Sequence, residues 1–315
     1  VENYATSGAG IWLRKTLAGN SCSNITIRNI NSVGASAAST NCYGITGSGY
    51  TSLTYGSHNN VSILYNNFRR SGYAIRMYGA GGTAGGSPNK TIYIRYNSLG
   101  NGAAVGDGHA YPIYLYNADN SLVSNNYISL NLPNGSVRCI HTYNVPDVMI
   151  YDNVIENCDV GSGTLYGISI STGSHGQIYN NTVRNIIAGS AYAIYVNVGN
   201  YATITDNTVK NITAASNMWA LYFTGASDAT ILNNDIQDIS SSLFYGIYGQ
   251  NSARTLIENN TIRNIVASAN AFSMYVTGCQ LLEFNRNVVE NMIGSGTICG
   301  LNASNLSRDL IFNNN

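Results

Sequence analysis

The acidic side chains that could act as catalytic acids and bases are few and far apart in the chain. Asp152 and Asp206 occupy equivalent positions in two copies of a repeat, with one copy between them, and Asp235 lies near Asp206. If the copies stack as β-strands, two rises of about 4.8 Å place Asp152 and Asp206 roughly 10 Å apart, at or beyond the upper limit for an inverting pair of carboxylates. We keep all three as candidate catalytic residues, with turn formation as the alternative.

A second group of candidates combines aspartate with histidine. Asp147 and His175 lie in equivalent turn positions of adjacent copies, with Asp119 nearby. Asp107 and His109 lie at the end of a Gly-rich stretch, residues 79–108, which is the only sizeable irregularity in the repeat. Because a catalytic site should interrupt a regular repeat, this stretch is the first place in which to look for one. No spacing in the chain is typical of a metal site, so no metal is predicted.

Tyrosines recur at one position of the repeat and could bind a ligand. An aliphatic residue precedes each of them, as Ile194 precedes Tyr195, which predicts that the aliphatic side chain points inward and the tyrosine outward. The column consists of Tyr114, His141, Ser169, Tyr195, Tyr222, Tyr248 and Tyr275. Its four consecutive tyrosines would form a stripe about 15 Å long that could bind sugar rings or a protein partner. The alternative is that stacked tyrosines only stabilise a sheet.

Two further columns have regular chemistry. Aromatic residues lie two positions before each inward residue and are followed by small residues, so we interpret them as turn packing; they are Tyr43, Tyr73, Tyr166, Tyr192, Trp219, Tyr245 and Phe272. Arg184 and Lys210 are neighbours in a mostly charged column and could form a basic patch for an acidic polysaccharide. The alternative for this column is a solvated face.

The elements that position these residues come from the repeat itself. An Asn recurs at intervals of 26 to 30 residues, at Asn67, Asn97, Asn126, Asn153, Asn181, Asn207, Asn234, Asn260 and Asn287, and Ile25 takes its place in the first copy. Each copy contains two short alternating segments, such as 202–209 and 219–223, which predict strands. One copy cannot bury its apolar side alone, so the copies must stack. Stacked Asn side chains could then satisfy backbone groups in the turns.

Composition excludes some classes of function. The chain of 315 residues has 15 Lys+Arg and 15 Asp+Glu, so its zero net charge gives no support for nucleic-acid binding. No apolar run is long enough to span a membrane. The six cysteines permit disulfides, but several occupy columns of small or apolar residues, and we interpret them as buried fillers.

The recurring Asn-Asn-x-Ile/Val-x-Asn followed by Gly-Ile-Tyr resembles the right-handed parallel β-helix repeat superfamily, which includes NosD-like proteins and pectate-lyase-like enzymes. The resemblance covers nearly the whole chain and implies an all-β solenoid. We expect residues 1–315 to be a single β-helix segment of a longer protein, beginning and ending within a coil. The superfamily contains enzymes, tailspikes and scaffolds, so the resemblance specifies architecture far more than activity.

The expected function is an extracellular or cell-surface scaffold whose Tyr-striped, polar surface binds carbohydrate or another copy of the chain. One alternative is a polysaccharide lyase or glycoside hydrolase. The other is a phage tailspike or tail-fibre segment. No cofactor is expected, except that a lyase of this architecture would hold calcium with clustered carboxylates.

Overall fold

The chain is a right-handed parallel β-helix with coils of about 27 residues. The computed structural model describes residues 2–3, 8–13, 22–34, 42–47, 58–79, 88–100, 109–132, 135–197, 200–305 and 310–313. In these ranges each strand pairs in parallel with its equivalents in the coils before and after it. None of the described segments is a helix able to cross a membrane.

Each coil has three faces, which we number in chain order. The strands of the first face form one sheet and are Ser23–Arg28, Asn59–Leu64, Asn89–Arg95, Leu122–Ser124, Met149–Tyr151, Gln177–Tyr179, Thr203–Thr205, Thr230–Leu232, Leu256–Glu258, Leu282–Asn285 and Leu310–Asn313, with the short Ala118–Asp119 added beside Asn89–Arg95. This sheet is separated from the rest of the coil by a sharp corner.

The other two faces share one continuous sheet. Strands of the second face are Glu2–Asn3, Asn31–Gly34, Asn67–Arg69, Ser98–Leu99, Tyr127–Ile128, Val154–Asp159, Thr182–Ala188, Thr261–Ala267 and Val288–Gly294. Strands of the third face are Gly8–Leu13, Cys42–Gly47, Ser71–Tyr78, His109–Tyr116, Val137–Tyr143, Thr164–Ser171, Ser190–Asn197, Ala271–Thr277 and Ile298–Ser304. Thr208–Thr224 and Asp235–Gln250 run through both faces and join them.

The expectation of two strands per coil was therefore wrong by one. Residues 202–209 were read as a single strand, but the structure divides them into Thr203–Thr205 and a strand that begins at Thr208. Asp206 adopts a positive φ of 56° and Asn207 turns inward, so the chain bends at this point. The buried positions change from Ala202 and Ile204 before the corner to Asn207 and Val209 after it, so the alternation shifts by one residue at the bend.

The predicted asparagine ladder is confirmed and lies inside this corner. The Asn207 side chain donates from Nδ2 to the Oδ1 of Asn234, at 3.0 Å, and to the carbonyl of Ile178 in the preceding coil, at 3.0 Å. Its own Oδ1 accepts from both the backbone N–H and the Nδ2 of Asn181. Because ladder side chains are almost fully buried, these bonds replace every bond to water that the corner gives up.

Two residues were assigned to the ladder wrongly. Asn66, not Asn67, is buried in the ladder and donates to Asn97 Oδ1 at 2.9 Å, while Asn67 is exposed. In the preceding coil the backbone N–H of Ile30 donates to Asn66 Oδ1, so Ile30 holds the ladder position. Ile25 lies instead on the first face, opposite Val61.

The core is a continuous aliphatic column running along the inside of the coils. The inward residues of the third face, from Ile113 to Met274, are buried as predicted. Cys139, Cys158 and Cys279 are buried free thiols, which agrees with their interpretation as fillers.

Candidate functional site

The outer side of the third face carries two columns of aromatic rings, which we call the aromatic face. The second column is the predicted tyrosine column, and its members lie side by side in the parallel register, as Tyr195 does with Tyr222. The first column lies on the same strands, three residues earlier, as Tyr192 does with Trp219. Both columns point outward because the two residues between them, Ala193 and Ile194, are fully buried.

The rings are stacked from coil to coil. In the second column the centroid separations are 5.0 Å for Tyr195–Tyr222, 4.8 Å for Tyr222–Tyr248 and 5.3 Å for Tyr248–Tyr275, and the planes are within 18° of parallel. These distances match the rise between parallel strands. Each inner ring therefore has neighbours on both of its faces, so what the column presents outward is ring edges and phenol hydroxyls.

The two columns also contact each other. Tyr192 meets Tyr195 edge-to-face at 5.6 Å and 87°, and Tyr245 meets Tyr248 at 5.2 Å and 83°. Stacked and edge-to-face geometries are the two arrangements that aromatic pairs prefer. The aromatic face is thus a rigid surface whose shape is set before any ligand arrives.

Burial and the neighbouring tyrosines raise the pKa of Tyr222 to about 12. The same burial raises the pKa of Tyr192 and Tyr114 well above the usual range of tyrosine. These hydroxyls therefore keep their protons at physiological pH. The hydroxyls of Tyr192 and Tyr114 can donate hydrogen bonds to a ligand as well as accept them, whereas the hydroxyl of Tyr222 donates to Gln250 Oε1 at 3.0 Å and can accept from a ligand.

The interpretation of the first column as turn packing was wrong. Its rings lie on the strands and face outward, half-buried among other rings. The small residues that follow them do mark a bend: a Cβ added at Gly246 would lie 2.4 Å from the Ser273 carbonyl oxygen. The bend turns the chain inward for two consecutive residues, and this leaves the preceding ring on the outside.

Both columns are interrupted in the same place, and the interruption forms a pocket. Arg138 replaces an aromatic residue in the first column, between Tyr111 and Tyr166, while His141 and Ser169 replace tyrosines in the second. The pocket has a volume of about 340 Å³ and is lined mainly by Tyr73, Tyr111, Tyr114, Arg138, His141 and Tyr143. Sequence reasoning placed His141 and Ser169 in the column but missed Arg138 and Tyr111.

Arg138 is held against the first column. Its guanidinium carbon lies 4.3 Å from the ring centroid of Tyr166, and its Nη1 donates to Ser169 Oγ at 3.3 Å. A guanidinium has five N–H donors, so this bond leaves most of them available. In the described part of the chain no carboxylate forms a salt bridge with Arg138.

His141 lines the pocket and is 7% exposed. Its ring stacks on Tyr114 with centroids 5.2 Å apart, and its Nδ1 lies 3.3 Å from the carbonyl oxygen of Ser169. Burial, with a smaller contribution from Arg138, lowers the pKa of His141 to about 4. The imidazole is therefore neutral at pH 7. A proton on Nδ1 would satisfy the Ser169 carbonyl and leave Nε2 as an acceptor.

The predicted catalytic aspartates lie elsewhere. Asp152 and Asp206 are in one turn column at the ladder corner, with Asn180 between them, and both have positive φ angles. Asp206 accepts a hydrogen bond from Asn233 in the next coil, at 3.1 Å. Asp235 is on the second face, 3.3 Å from the guanidinium of Arg263. The structure does not bring these three carboxylates to the pocket, and their surroundings match the turn-forming alternative for the first two.

The histidine candidates separate in the same way. His109 is fully buried, with Nδ1 2.8 Å from Ser71 Oγ and Nε2 3.0 Å from the Phe68 carbonyl oxygen, so it packs inside the coil rather than facing a ligand. Asp107 and most of the Gly-rich stretch lie outside the described residues.

The other predicted groups lie on exposed surfaces. His175 Nδ1 is 3.5 Å from Asp147 Oδ1, as the proposed cluster required, but both side chains are more than half exposed. Arg184 and Lys210 are register neighbours on the second face, and Arg184 forms an ion pair with Glu156. The described residues contain no group of three or more His, Cys, Asp or Glu side chains that could hold a metal ion.

The family model for the right handed beta helix region matches residues 45–219 and 166–315. The chain belongs to this family. Two solved structures are similar to it: the A-module of the Azotobacter vinelandii mannuronan C-5 epimerase AlgE6, with 14% identity over 93% of this chain and 75% of that one and a TM-score of 0.47, and the A-module of AlgE4, with 11% identity over 93% and 88% and a TM-score of 0.24. No curated protein gave a significant match. The family establishes the architecture and does not specify an activity.

Proposed function

We propose that the aromatic face binds a polysaccharide lying along the solenoid axis. The observation that supports this is the pair of ring columns, which keep one orientation over consecutive coils and present a row of hydroxyls at one spacing. A polysaccharide is also a repeating chain, so it can make the same contact at successive coils. Because the rings are already fixed by stacking, little side-chain entropy is lost when the ligand binds.

The interruption adds a different contact. Inside a column the ring faces are covered by their neighbours, whereas Tyr111, which lines the pocket, has Arg138 in place of a ring on one side. A sugar ring could therefore stack on an aromatic face at this end of the column. We also infer an extracellular or cell-surface location, since polysaccharide is found there and the surface is hydrated by Asn, Ser, Thr and Tyr rather than by charges.

Binding to a polysaccharide panel tests the proposal, with the Tyr222→Ser/Tyr248→Ser double variant as the probe. We expect the variant to lose at least tenfold in affinity because it removes two adjacent steps of the second column. The matched control is Tyr151→Ser/Tyr179→Ser, which removes a stacked pair of the same geometry, 4.8 Å and 5°, from the first face. Equal affinities in all three proteins would reject the aromatic face as the binding surface. If the double variant instead dissociates an oligomer in sedimentation, self-association is the correct function.

A polysaccharide lyase is the second candidate, and the pocket favours it. A neutral imidazole with an available Nε2 could take the proton from the sugar carbon beside a carboxylate, while Arg138 neutralises that carboxylate. The C–O bond at the β position would break, its oxygen would take a proton from the Tyr114 hydroxyl or from water, and a C=C bond would remain. No carboxylate among the described residues lines the pocket, so the acid pair of a glycoside hydrolase is not found there.

The lyase candidate has a direct readout. Unsaturated sugar products absorb in the ultraviolet, and we expect their formation to stop in His141→Gln if the pocket is catalytic. Turnover that persists in this variant but is lost in Asp152→Ala or Asp206→Ala would move the catalytic site to the corner. No turnover with any acidic polysaccharide would leave binding as the function.

A further inference from the structure

The aromatic face differs from the rest of the described surface in its charge. Following the third face in register, its outward residues include Arg76, Arg138 and His141, but no Asp or Glu. Four arginines elsewhere pair with carboxylates of neighbouring coils: Arg184 with Glu156, Arg254 with Asp228, Arg263 with Asp235 and Arg286 with Glu258. Arg95 on the first face instead donates to Ser124 Oγ and stacks on Tyr96. In the part of the chain that the structure describes, the aromatic face thus carries basic side chains and no acidic ones.

Arg76 is held in the same manner as Arg138. Its guanidinium carbon lies 5.3 Å from the ring centroids of Tyr43 and Tyr73, and its Nη1 donates to the Tyr43 hydroxyl at 3.1 Å. Its Nε is buried without a hydrogen-bond partner. Neither arginine has a carboxylate partner among the described residues, so each keeps an uncompensated positive charge.

A partly buried charge without a partner lowers stability, and a ligand of opposite charge removes that cost. The two arginines are two coils apart, which corresponds to roughly 10 Å along the axis. Each guanidinium is fixed by ring stacking, and this leaves the planar group ready for a carboxylate or sulfate, which it can bind through two N–H groups at once.

We infer that the polysaccharide bound by the aromatic face is acidic, and that Arg138 in the pocket binds a carboxylate or sulfate group of one sugar while Arg76 binds a second acidic group along the chain. This inference rests on the proposed function, because it names the ligand class of the same face. Nucleic acid fits less well, since the two arginines among the described residues of this face and the zero net charge of the chain offer few phosphate contacts.

The experiment measures affinity for two matched pairs of polymers: polygalacturonate with its carboxyl-reduced form, and dextran sulfate with dextran. We expect wild-type protein to bind the acidic member of at least one pair tenfold or more tightly than the neutral member. The pair that shows the difference identifies carboxylate or sulfate as the acidic group. Raising the salt concentration should reduce this preference.

Arg138→Gln should abolish most of the preference, because the affinity for the acidic polymer should fall to near the affinity for the neutral polymer. Arg138→Lys keeps the charge and should retain part of the preference, which separates charge from packing. Arg184→Gln, on the second face, is the control and should leave the affinity for both polymers unchanged. Thermal unfolding of each variant checks that the coil is intact, and Arg76→Gln supplies a second probe.

The outcomes separate the inference from the proposed function. If neutral and acidic polymers bind equally, or if Arg138→Gln and Arg76→Gln leave the preference unchanged, the inference that the ligand is acidic is wrong. Polysaccharide binding by the aromatic face is not contradicted by that result. If the Tyr222→Ser/Tyr248→Ser variant binds every polymer as well as wild type does, the aromatic face is not the site. If no polymer binds at all, both ideas fail.

Discussion

The ladder corner and the aromatic face are both built from one like side chain per coil, yet they differ in what those side chains leave unpaired. At the corner, Asn207 is 1% exposed, and its amide contacts only protein groups. On the aromatic face, Tyr222 is half-buried between two rings, and its hydroxyl reaches the edge of the stack, where it donates to Gln250 at 3.0 Å. The same repeat thus produces a closed ladder, whose amide groups are all paired within the protein, and an open ladder, whose hydroxyls reach the surface.

This difference separates stability from function. A closed ladder has no capacity left for a ligand, so a change in it should appear in the free energy of unfolding. The aromatic ladder has hydroxyl oxygens that can still accept hydrogen bonds and, at its interruption, an arginine without a carboxylate partner among the described residues, so a change in it should appear mainly in binding. Predictions that compare the two regions test this separation.

The largest effect is expected from Asn207→Asp. The carboxylate has no N–H to donate, and it would face the carbonyl oxygens of Ile178 and Thr205 in a buried corner. We expect a loss of roughly 3 to 5 kcal/mol in the free energy of unfolding, measured by urea denaturation at pH 7.

The matched control for that variant is Asn185→Asp. Asn185 is exposed on the second face, in a register column with Asn211 and Asp238, and all three have positive φ angles. Asp238 already occupies this column and accepts a hydrogen bond from Asn264 at 2.9 Å, so the same replacement should cost less than about 0.5 kcal/mol. Similar losses in the two variants would show that burial does not distinguish the ladders.

His141 is expected to make the free energy of unfolding depend on pH by up to roughly 3 kcal/mol. Its pKa is about 4 in the folded chain and 6.5 when unfolded, so between these values the unfolded state binds more protons. Stability should therefore fall as the pH drops from about 6.5 towards 4. In His141→Gln this part of the pH dependence should be missing. Parallel urea midpoints for both proteins between pH 7 and pH 4 would contradict the assignment.

A smaller loss is expected from Tyr222→Leu. The variant loses two stacked neighbours and the bond to Gln250 but keeps a β-compatible apolar side chain, so we expect about 1 to 2 kcal/mol. Tyr151→Leu loses one stacked neighbour, Tyr179, and should cost less. A cost for Tyr222→Leu as large as that for Asn207→Asp would mean that the aromatic face serves chiefly to hold the fold.

The sequence predicted the solenoid because a period of about 27 residues places like side chains in columns. It predicted the ladder correctly from Asn97 onward but chose Asn67 over Asn66. In most coils an Asn or Asp with positive φ precedes the ladder Asn, and an Asn-Asn pair marks both positions. Tyr65 holds the positive φ at this coil, so the pair at 66–67 begins one residue late.

The pocket could not be predicted in the same way. Column alignment shows that His141 and Ser169 replace tyrosines, but it does not show that the first column faces the same side. That depends on the bend between the columns, where two consecutive residues turn inward. Only with this bend does Arg138 reach Ser169 and complete the pocket.

The smallest effect is expected from the basic pair on the second face. Arg184 is already neutralised by Glu156 and is partly exposed, so Arg184→Gln should lower stability by less than about 1 kcal/mol. Lys210→Gln and Arg184→Gln should each change the affinity for an acidic polysaccharide less than twofold at 0.15 M salt, because the pair lies on a different face from the rings. Arg138→Gln measured beside them gives the contrast. If Lys210→Gln weakened binding as much as Arg138→Gln does, the ligand would have to extend over the second face, and the basic patch predicted from the sequence would be part of the site.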